Sequence, residues 1–539
     1  MKKGNAFRTS LRMAKRLLGA GSALIFGAAL LLSAPSCGGS TPPKRESVVL
    51  YLSQGEYRAV TEIDPEGHEV LASAGFVPEG EDADSLAYRV DFSANGNAYY
   101  YTGSGENLAL NRAPISDMNA KALKDGKLPL EVCEGVRMGF GAFREFGDGT
   151  VIFLDQSNCL CYFDGESIIE LFGEPVEAFR CDGEKNCLIV VSEGPVYGLY
   201  RIGNADPETK TLLDGGAIGY FMTPGDDAYC FYSNGAALNC VGITGEKTEV
   251  TAGGKTVGTA GDKVYFLEPT ERFYVADSSN SYNVFDLFCF TAGGGRSLCA
   301  EDVVHWRKGY QCLVFNTVPM LNERYLGRWE TYPGRVIEGQ QNSVLLFDSA
   351  EVYRLGISAA EKVKGLTSLG HDWIYVGCGA SLYLYRGERS QLYYAETDGG
   401  SITGLVSLAN QATPIGRDGD ILFFETGFAK TAGTCSIYSC SGGELACLAR
   451  DVLFDSPYAV YRDGAVVCST AEGLAFFRGG EGKTVGDAAE LFIRIGKNEL
   501  VYISGGRLYH CSGALSTLLD ENVDYVWSSR REEMIEHWS

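Results

Sequence analysis

The most unusual stretch of the chain by residue type is 316–342. It concentrates arginine and large aromatic side chains in an otherwise acidic protein, namely Arg324, Tyr325, Arg328, Trp329, Tyr332 and Arg335. Aromatic faces stack on sugar rings through C–H groups, and a guanidinium can hold a carboxylate through two parallel hydrogen bonds. The same residue types dominate the hot spots of binding interfaces. We therefore predict that these six residues bind an anionic glycan, a carboxylate-bearing peptide or a protein surface.

A structural role for the same stretch is the alternative. The arginines would then pair with the surplus Asp and Glu, and the aromatic rings would pack between two domains. His305, Trp306, Arg307 and Lys308 lie just upstream and extend the cluster.

Two other segments are too long for tight turns. Residues 102–146 are predicted to form a decorated loop with a short helix that is capped by Ser116 and stopped at Gly126. Residues 268–286 carry four aromatic side chains among Asp and Ser, at Phe273, Tyr274, Tyr282 and Phe285.

Most of the 17 cysteines are predicted to be core residues. They lie within or beside apolar runs (Cys230, Cys289, Cys378, Cys468) or recur two places before a strand-ending Gly (Cys240, Cys440, Cys511). A residue type that recurs at one repeat position is explained by packing, where Cys acts as a small hydrophobe. Cys181 and Cys187, on either side of a short predicted turn, are the best disulfide candidates.

No enzyme signature is present, and there are only five His. We predict no catalytic residue, no cofactor and no metal site. A few carboxylates that converge only in the fold would escape such a search, so an exported enzyme acting on polysaccharide or peptidoglycan stays an alternative.

The elements that must position these residues are short strands. A Gly/Asp turn followed by about four apolar residues returns along the chain, as in 147–154, 261–267 and 418–424. All-apolar runs bounded by Gly and Asp predict strands that are covered on both faces. Strand starts fall at Val151, Leu188, Tyr229, Val264, Leu313, Val344, Ile374, Ile421, Val466 and Val501, with weaker units near Val49 and Ala98. Their mean spacing of about 39 residues is that of a four-stranded propeller blade.

The pattern resembles the β-propeller repeats carried on bacterial surface lipoproteins. That resemblance implies an all-β fold with function on loops at one rim or in the central channel. Roughly a dozen units exceed one usual ring of four to eight blades, so we predict a first propeller over residues 48–308 and a second over 309–539. One large ring with long insertions is the alternative.

The N-terminus has the layout of an export signal. Six basic residues and no acidic ones precede an apolar run over 17–33, and Cys37 follows the run after three residues. This resembles a lipoprotein signal, which implies cleavage after residue 36, lipid attachment at Cys37 and a flexible tether over 37–47. Secretion without a lipid, or an uncleaved membrane anchor, are the alternatives.

The charge balance argues against nucleic-acid binding. The net charge of −23 repels phosphate backbones and anionic headgroups. We therefore predict a protein tethered to the outer face of a bacterial membrane by its lipid only, which binds a cell-envelope glycan, peptide or protein. An envelope scaffold or assembly factor is the competing interpretation; the sequence gives no oligomeric state.

Overall fold

The computed structural model consists of β-strands joined by turns. It describes residues 49–538 apart from 55, 65–66, 77–89, 94, 103–108, 116–129, 135–142, 156, 236, 276–280, 318–340, 356–372, 387–390, 399, 455 and 514. Within those residues the structure has no α-helix, hence none long and apolar enough to span a bilayer.

The N-terminal half forms the first 24 strands. They are β1 (Val49–Ser53), β2 (Glu56–Asp64), β3 (Gly67–Phe76), β4 (Val90–Phe92), β5 (Asn97–Thr102), β6 (Ala109–Pro114), β7 (Leu130–Glu134), β8 (Phe143–Glu145), β9 (Val151–Leu154), β10 (Leu160–Phe163), β11 (Ile168–Phe172), β12 (Val176–Cys181), β13 (Cys187–Glu193), β14 (Val196–Gly203), β15 (Asp206–Ala217), β16 (Gly219–Met222), β17 (Tyr229–Ser233), β18 (Leu238–Gly242), β19 (Lys247–Thr251), β20 (Lys255–Ala260), β21 (Lys263–Val275), β22 (Ser281–Thr291), β23 (Gly295–Lys308) and β24 (Cys312–Thr317).

The C-terminal half continues the same pattern. Its strands are β25 (Gln341–Leu346), β26 (Val352–Leu355), β27 (Trp373–Cys378), β28 (Ser381–Arg386), β29 (Gln391–Asp398), β30 (Ser401–Ala409), β31 (Thr413–Asp418), β32 (Ile421–Ala429), β33 (Thr434–Ser441), β34 (Glu444–Leu453), β35 (Tyr458–Val460), β36 (Val466–Thr470), β37 (Gly473–Arg478), β38 (Glu481–Gly486), β39 (Leu491–Gly496), β40 (Glu499–Ser504), β41 (Arg507–Ser512), β42 (Leu515–Glu521), β43 (Val523–Ser528) and β44 (Glu536–His537).

These strands form nine sheets, most of them four-stranded antiparallel meanders. The eleven-stranded sheet divides at β23, whose first part pairs with β22 and whose second part pairs with β24. The division falls at Asp302, which has a φ of 59°. The units β20–β23, β23–β26 and β27–β30 then match the other sheets. The predicted all-β fold with β-propeller repeats of four-stranded blades is confirmed.

Packing between successive sheets explains the all-apolar runs. Each residue of β9 is buried, and one core cluster joins Ile152 of β9 and Leu160 of β10 to Ile189 of the next sheet. The outermost strand of the same sheet, β11, is exposed over its first three residues. Inner strands are therefore apolar on both faces, while outer strands carry the polar residues.

Strands from both ends of the chain complete one sheet. The order β3-β2-β1-β43 places β43 at the edge next to β1, with Val49 opposite Ser528. The Tyr51 hydroxyl donates to Asp520 Oδ2 at 2.8 Å, and Arg58 pairs with the same carboxylate at 2.8 Å. This sheet is therefore built from strands that are more than 400 residues apart in sequence.

The predicted boundary between residues 308 and 309 falls between β23 and β24. These strands pair, with Lys308 opposite Leu313, and a single core cluster contains residues from both sides. The Tyr265 hydroxyl also donates to the carbonyl of Phe347 across the boundary. The division of the chain into two propellers stays a prediction.

Two expectations about the repeat are wrong in detail. Leu313 and Val344 do not start separate units, because β24 and β25 are antiparallel neighbours in one sheet. The segment 102–146 is not simply a decorated loop, since it contains β6, β7 and β8. The predicted helix between Ser116 and Gly126 lies almost entirely outside the described residues.

Candidate functional site

Two of the inserted segments start from one transverse row of paired residues. Pro269 pairs with Phe285, Phe285 with Val303, Val303 with Thr317, and Thr317 with Gln341. Segment 270–284 begins and ends at the first pair, and segment 318–340 begins and ends at the last. The row, which we call the insertion row, therefore anchors both aromatic-rich insertions that the sequence singles out.

The first of these insertions is an extension of the β21–β22 hairpin. The register shifts after Pro269 and resumes with Phe273 opposite Asn283 and Tyr274 opposite Tyr282. The Thr270 hydroxyl donates to the carbonyl of Val284 at 2.8 Å and bridges the irregular part. The aromatic residues of this segment thus lie on paired strands, which restricts their backbone.

Arg272 holds the base of this hairpin to the adjoining strand. Its guanidinium donates to Asp286 Oδ1 at 2.7 Å and also pairs with Asp302. The Asp302 amide donates to the same Asp286 oxygen at 3.2 Å. Burial raises the pKa of Asp302, and the neighbouring Arg272 charge opposes that shift. This arginine is committed to structure and is not available to hold a ligand carboxylate.

Trp306 and Lys255 form the accessible part of the site. The Trp306 ring meets the Phe285 ring edge-on, with centroids 5.1 Å apart and an interplanar angle of 76°. The Lys255 Nζ lies 5.3 Å from the centre of the Trp306 ring. Lys255 is exposed, Trp306 is half-buried, and within the described part of the chain Lys255 forms no ion pair. An exposed ammonium beside an indole face can attract an anion and stack a sugar ring or a peptide plane.

The sequence singles out Trp306 and Phe285 but gives no signal for Lys255. This lysine lies in β20, the strand next to the hairpin, and an exposed Lys at a strand start is common. Only the pairing of β20 with β21, with Lys255 opposite Leu267, brings it beside the insertion row and next to Trp306.

The six predicted ligand-binding residues (Arg324, Tyr325, Arg328, Trp329, Tyr332, Arg335) lie outside the described residues, as does Cys37. What the structure adds is the position of the segment's two ends, Thr317 and Gln341, in the insertion row. The role of the six residues in ligand binding stays a prediction.

The cysteines predicted to belong to the core are buried. Cys230, Cys378, Cys440 and Cys468 are each 0% exposed, and Cys240, Cys289 and Cys511 are nearly so. Packing is therefore sufficient to explain their recurrence.

Cys181 and Cys187 face each other across the β12–β13 hairpin. They are direct register partners, and their Sγ atoms lie 2.9 Å apart. Both are buried, and burial raises the pKa of the Cys181 thiol. The placement suits a cross-strand disulfide, which stays a prediction.

No protein-family model matches the chain, and no curated protein matches it in sequence. Solved structures that resemble it include AztD from Citrobacter koseri, which is 10% identical with a TM-score of 0.28 over 90% of this chain and 99% of that one. TolB from Acinetobacter baumannii is 11% identical with a TM-score of 0.20 over 56% of this chain and 78% of that one. Values this low give no basis for transferring a function, so the chain is assigned its β-propeller repeats on its own strand pairing.

Proposed function

We propose that this chain is a non-catalytic binding protein that captures an anionic cell-envelope ligand, a glycan or a peptide, at the insertion row. Lipidated Cys37 would hold it to the outer face of a bacterial membrane. The observation that carries the proposal is the convergence of both aromatic-rich insertions on one row that also presents Lys255 and Trp306.

Charge supports an anionic ligand. The protein as a whole carries a net charge of −23, so most of its surface repels anions. The insertion row is less repulsive than the rest, because Lys255 is exposed beside it. The inserted segment 318–340 is neutral overall, with Arg324, Arg328 and Arg335 against three Glu. We therefore expect an anionic ligand with groups that stack on aromatic rings to be repelled less at the insertion row than over the rest of the surface.

A role as envelope scaffold is the second candidate, and exposed apolar side chains on outer strands favour it. Leu212, Leu298, Leu445 and Leu515 are 55%, 49%, 46% and 57% exposed. They lie on β15, β23, β34 and β42, the outermost strands of four different units. Single exposed leucines need no explanation, but their recurrence around the outside would suit a protein partner.

The test is thermal unfolding of the purified protein against acidic and neutral wall glycans and short acidic peptides. A ligand that binds only the folded state stabilises it by about 2.7 kcal/mol at a concentration of 100 Kd. Lys255→Gln should weaken binding of the acidic ligand about fivefold, which corresponds to about 1 kcal/mol for an exposed charge pair. Trp329→Ala should weaken it further.

Lys483→Gln is the matched control, because Lys483 is an exposed strand lysine in another sheet. It should bind as wild type does. If no glycan or peptide raises the unfolding midpoint, or if Lys255→Gln and Lys483→Gln behave alike, the insertion row is not the site. In that case crosslinking in cells would test the scaffold role.

A further inference from the structure

The C-terminal tail, residues 529–538, lies across the innermost strands of several sheets. After β43 the tail first contacts β39, where the Glu532 amide donates a hydrogen bond to the Arg494 carbonyl at 2.8 Å. The Ile535 amide then donates to the Val460 carbonyl of β35 at 3.0 Å. The innermost strand of a sheet has an unpaired edge, and the tail satisfies these edges one after another.

At β31 the tail becomes a strand. Gly416 pairs with His537 and Arg417 with Glu536, and the Trp538 amide donates to the Ile415 carbonyl at 3.0 Å. A Cβ at Gly416 would lie 2.3 Å from the Glu536 carbonyl oxygen, so β31 has a glycine where the tail comes closest. This is the geometry by which an extended peptide adds to a sheet edge.

Three tail side chains occupy three different environments. Ile535 is 4% exposed and belongs to the core cluster of β31–β37. Glu536 Oε2 accepts a hydrogen bond from Arg417 Nε at 2.9 Å. The Trp538 ring stacks on Tyr310, with centroids 5.4 Å apart and an interplanar angle of 19°. The edge of β31 and the residues around it therefore accommodate one aliphatic, one acidic and one aromatic side chain of the tail.

The groove is held in place by residues outside the tail. Arg417 also pairs with Asp348, so its guanidinium keeps one carboxylate partner when Glu536 leaves. Tyr310 is fixed by main-chain bonds, because its amide donates to Tyr375 O at 2.9 Å and its carbonyl accepts from Gly377 at 2.8 Å.

The tail is not the best occupant of its own groove. The Trp538 indole N–H is buried and has no hydrogen-bond partner among the described residues. A buried donor without a partner weakens binding, and a phenyl ring would fill the same space without that loss.

We propose that this groove, formed by Val460, 415–417 and Tyr310, is a binding site for an extended peptide. The peptide carries an aliphatic residue, an acidic residue, an uncharged residue in the partly buried position of His537, and an aromatic residue, in that order. Tail residues 535–538 occupy the site in the free chain. The site is distinct from the insertion row, because Asp348 follows the end of β25 opposite to Gln341. It binds whether or not the insertion row has a ligand.

Because the tail is tethered to the groove, it competes at an effective concentration that is typically millimolar. A peptide added to the wild-type chain therefore binds weakly. The groove binds the same peptide more tightly once the tail no longer competes for it.

The experiment uses the full chain with Glu536→Lys and Trp538→Ala, which place a cation opposite Arg417 and remove the ring from Tyr310. The probe is a fluorescein-labelled peptide with the sequence of residues 529–539 in which Phe replaces Trp538, followed by fluorescence anisotropy. The released chain should bind it at least about tenfold more tightly than wild type. The peptide with Trp retained should bind about fivefold more weakly than the Phe peptide.

Arg417→Glu combined with Trp538→Ala, in a chain that keeps Glu536, is the control for specificity, because Glu536 then faces a like charge and the tail is released. It should lose the probe and bind a peptide in which Lys replaces Glu536, a reversal that a merely unfolded variant would not show. The proposal is overturned if the released chain has a native unfolding midpoint but binds the probe no more tightly than wild type does. It is also overturned if the Arg417→Glu variant does not prefer the Lys peptide.

If the released chain does not fold, the wild-type chain provides the second measurement. About 1 mM Phe peptide should accelerate hydrogen exchange at the amides of Ile535 and Trp538 by displacing the tail. Unchanged exchange at these two amides overturns the proposal.

Discussion

The buried guanidinium of Arg494 provides the sharpest test of how neighbouring sheets are held together. Its side chain is 1% exposed, and it donates to both oxygens of Asp463 at 2.7 and 2.6 Å. The rings of Tyr461 and Phe476 lie 4.8 and 5.5 Å from it. We expect Asp463→Asn to destabilise the protein strongly, because the amide replaces one acceptor with a donor that faces the guanidinium.

The expected loss follows from these contacts. A hydrogen bond to a charged group contributes about 1.5–3 kcal/mol, and breaking a buried pair costs about 3–5 kcal/mol. Asp463 is 38% exposed and its neighbour Arg478 stays, which places the loss at the lower end. We therefore expect the free energy of unfolding, measured by urea titration, to fall by about 3 kcal/mol.

Arg478→Met is the matched control. Arg478 binds the same carboxylate at 2.5 Å, but its side chain is 35% exposed, so its loss should cost less than about 1 kcal/mol. Arg494→Met combined with Asp463→Asn should be less damaging than Asp463→Asn alone, since no unpaired charge is then buried.

The acid titration gives an independent check on the same pair. The Arg494 hydrogen bonds hold the pKa of Asp463 at about 2, below its ordinary value of 3.8. A lowered carboxyl pKa stabilises the folded state above pH 3.8, and that contribution is lost as the pH falls toward 2. In the Asp463→Asn variant the free energy of unfolding should therefore change less between pH 3.8 and pH 2 than it does in the wild type. If the free energy of unfolding falls no further in Asp463→Asn than in Arg478→Met, the Arg494–Asp463 pair does not hold the two sheets together.

Three further outcomes are expected. Protein from an oxidising compartment should contain a Cys181–Cys187 disulfide, seen as two thiols protected from alkylation, and replacing both by Ala should lower the free energy of unfolding by about 2 kcal/mol. Burial lowers the pKa of His537, so tail docking is fully stable above the ordinary His pKa and weakens as the pH falls below it. Hydrogen exchange in the tail, corrected for intrinsic rates, should then be faster at pH 5 than at pH 7, and His537→Asn should abolish the difference. Tyr265→Phe should cost about 1 kcal/mol in a urea titration by leaving the Phe347 carbonyl unpaired, and an unchanged midpoint would show that this link does not matter.

Local sequence patterns were sufficient to predict the repeat, because each strand has its own apolar run and its own flanking turn residues. An all-apolar run such as 151–154 is buried on both faces wherever it lies, and the Gly and Asp that flank it form tight turns. The same reasoning placed the recurring cysteines in the core. Both predictions depend on residues within a few positions of one another.

The same local patterns misassigned Val344, because strands β24 and β25 look alike in sequence. A long segment between them separates the two runs and imitates the spacing of separate units. Which strand pairs with which depends on contacts between distant residues, and no single run encodes that choice.

The sequence alone therefore determined the strands, the repeat and the residue types available for binding. Only the tertiary structure decided that Lys255 and Trp306 meet at the insertion row, that β43 completes the first sheet, and that the tail occupies the edge of β31. Strand identity follows from burial and turn preferences that act over a few residues. Pairing partners and shared sites follow from the total free energy of many long-range contacts, which is set only when the whole chain packs.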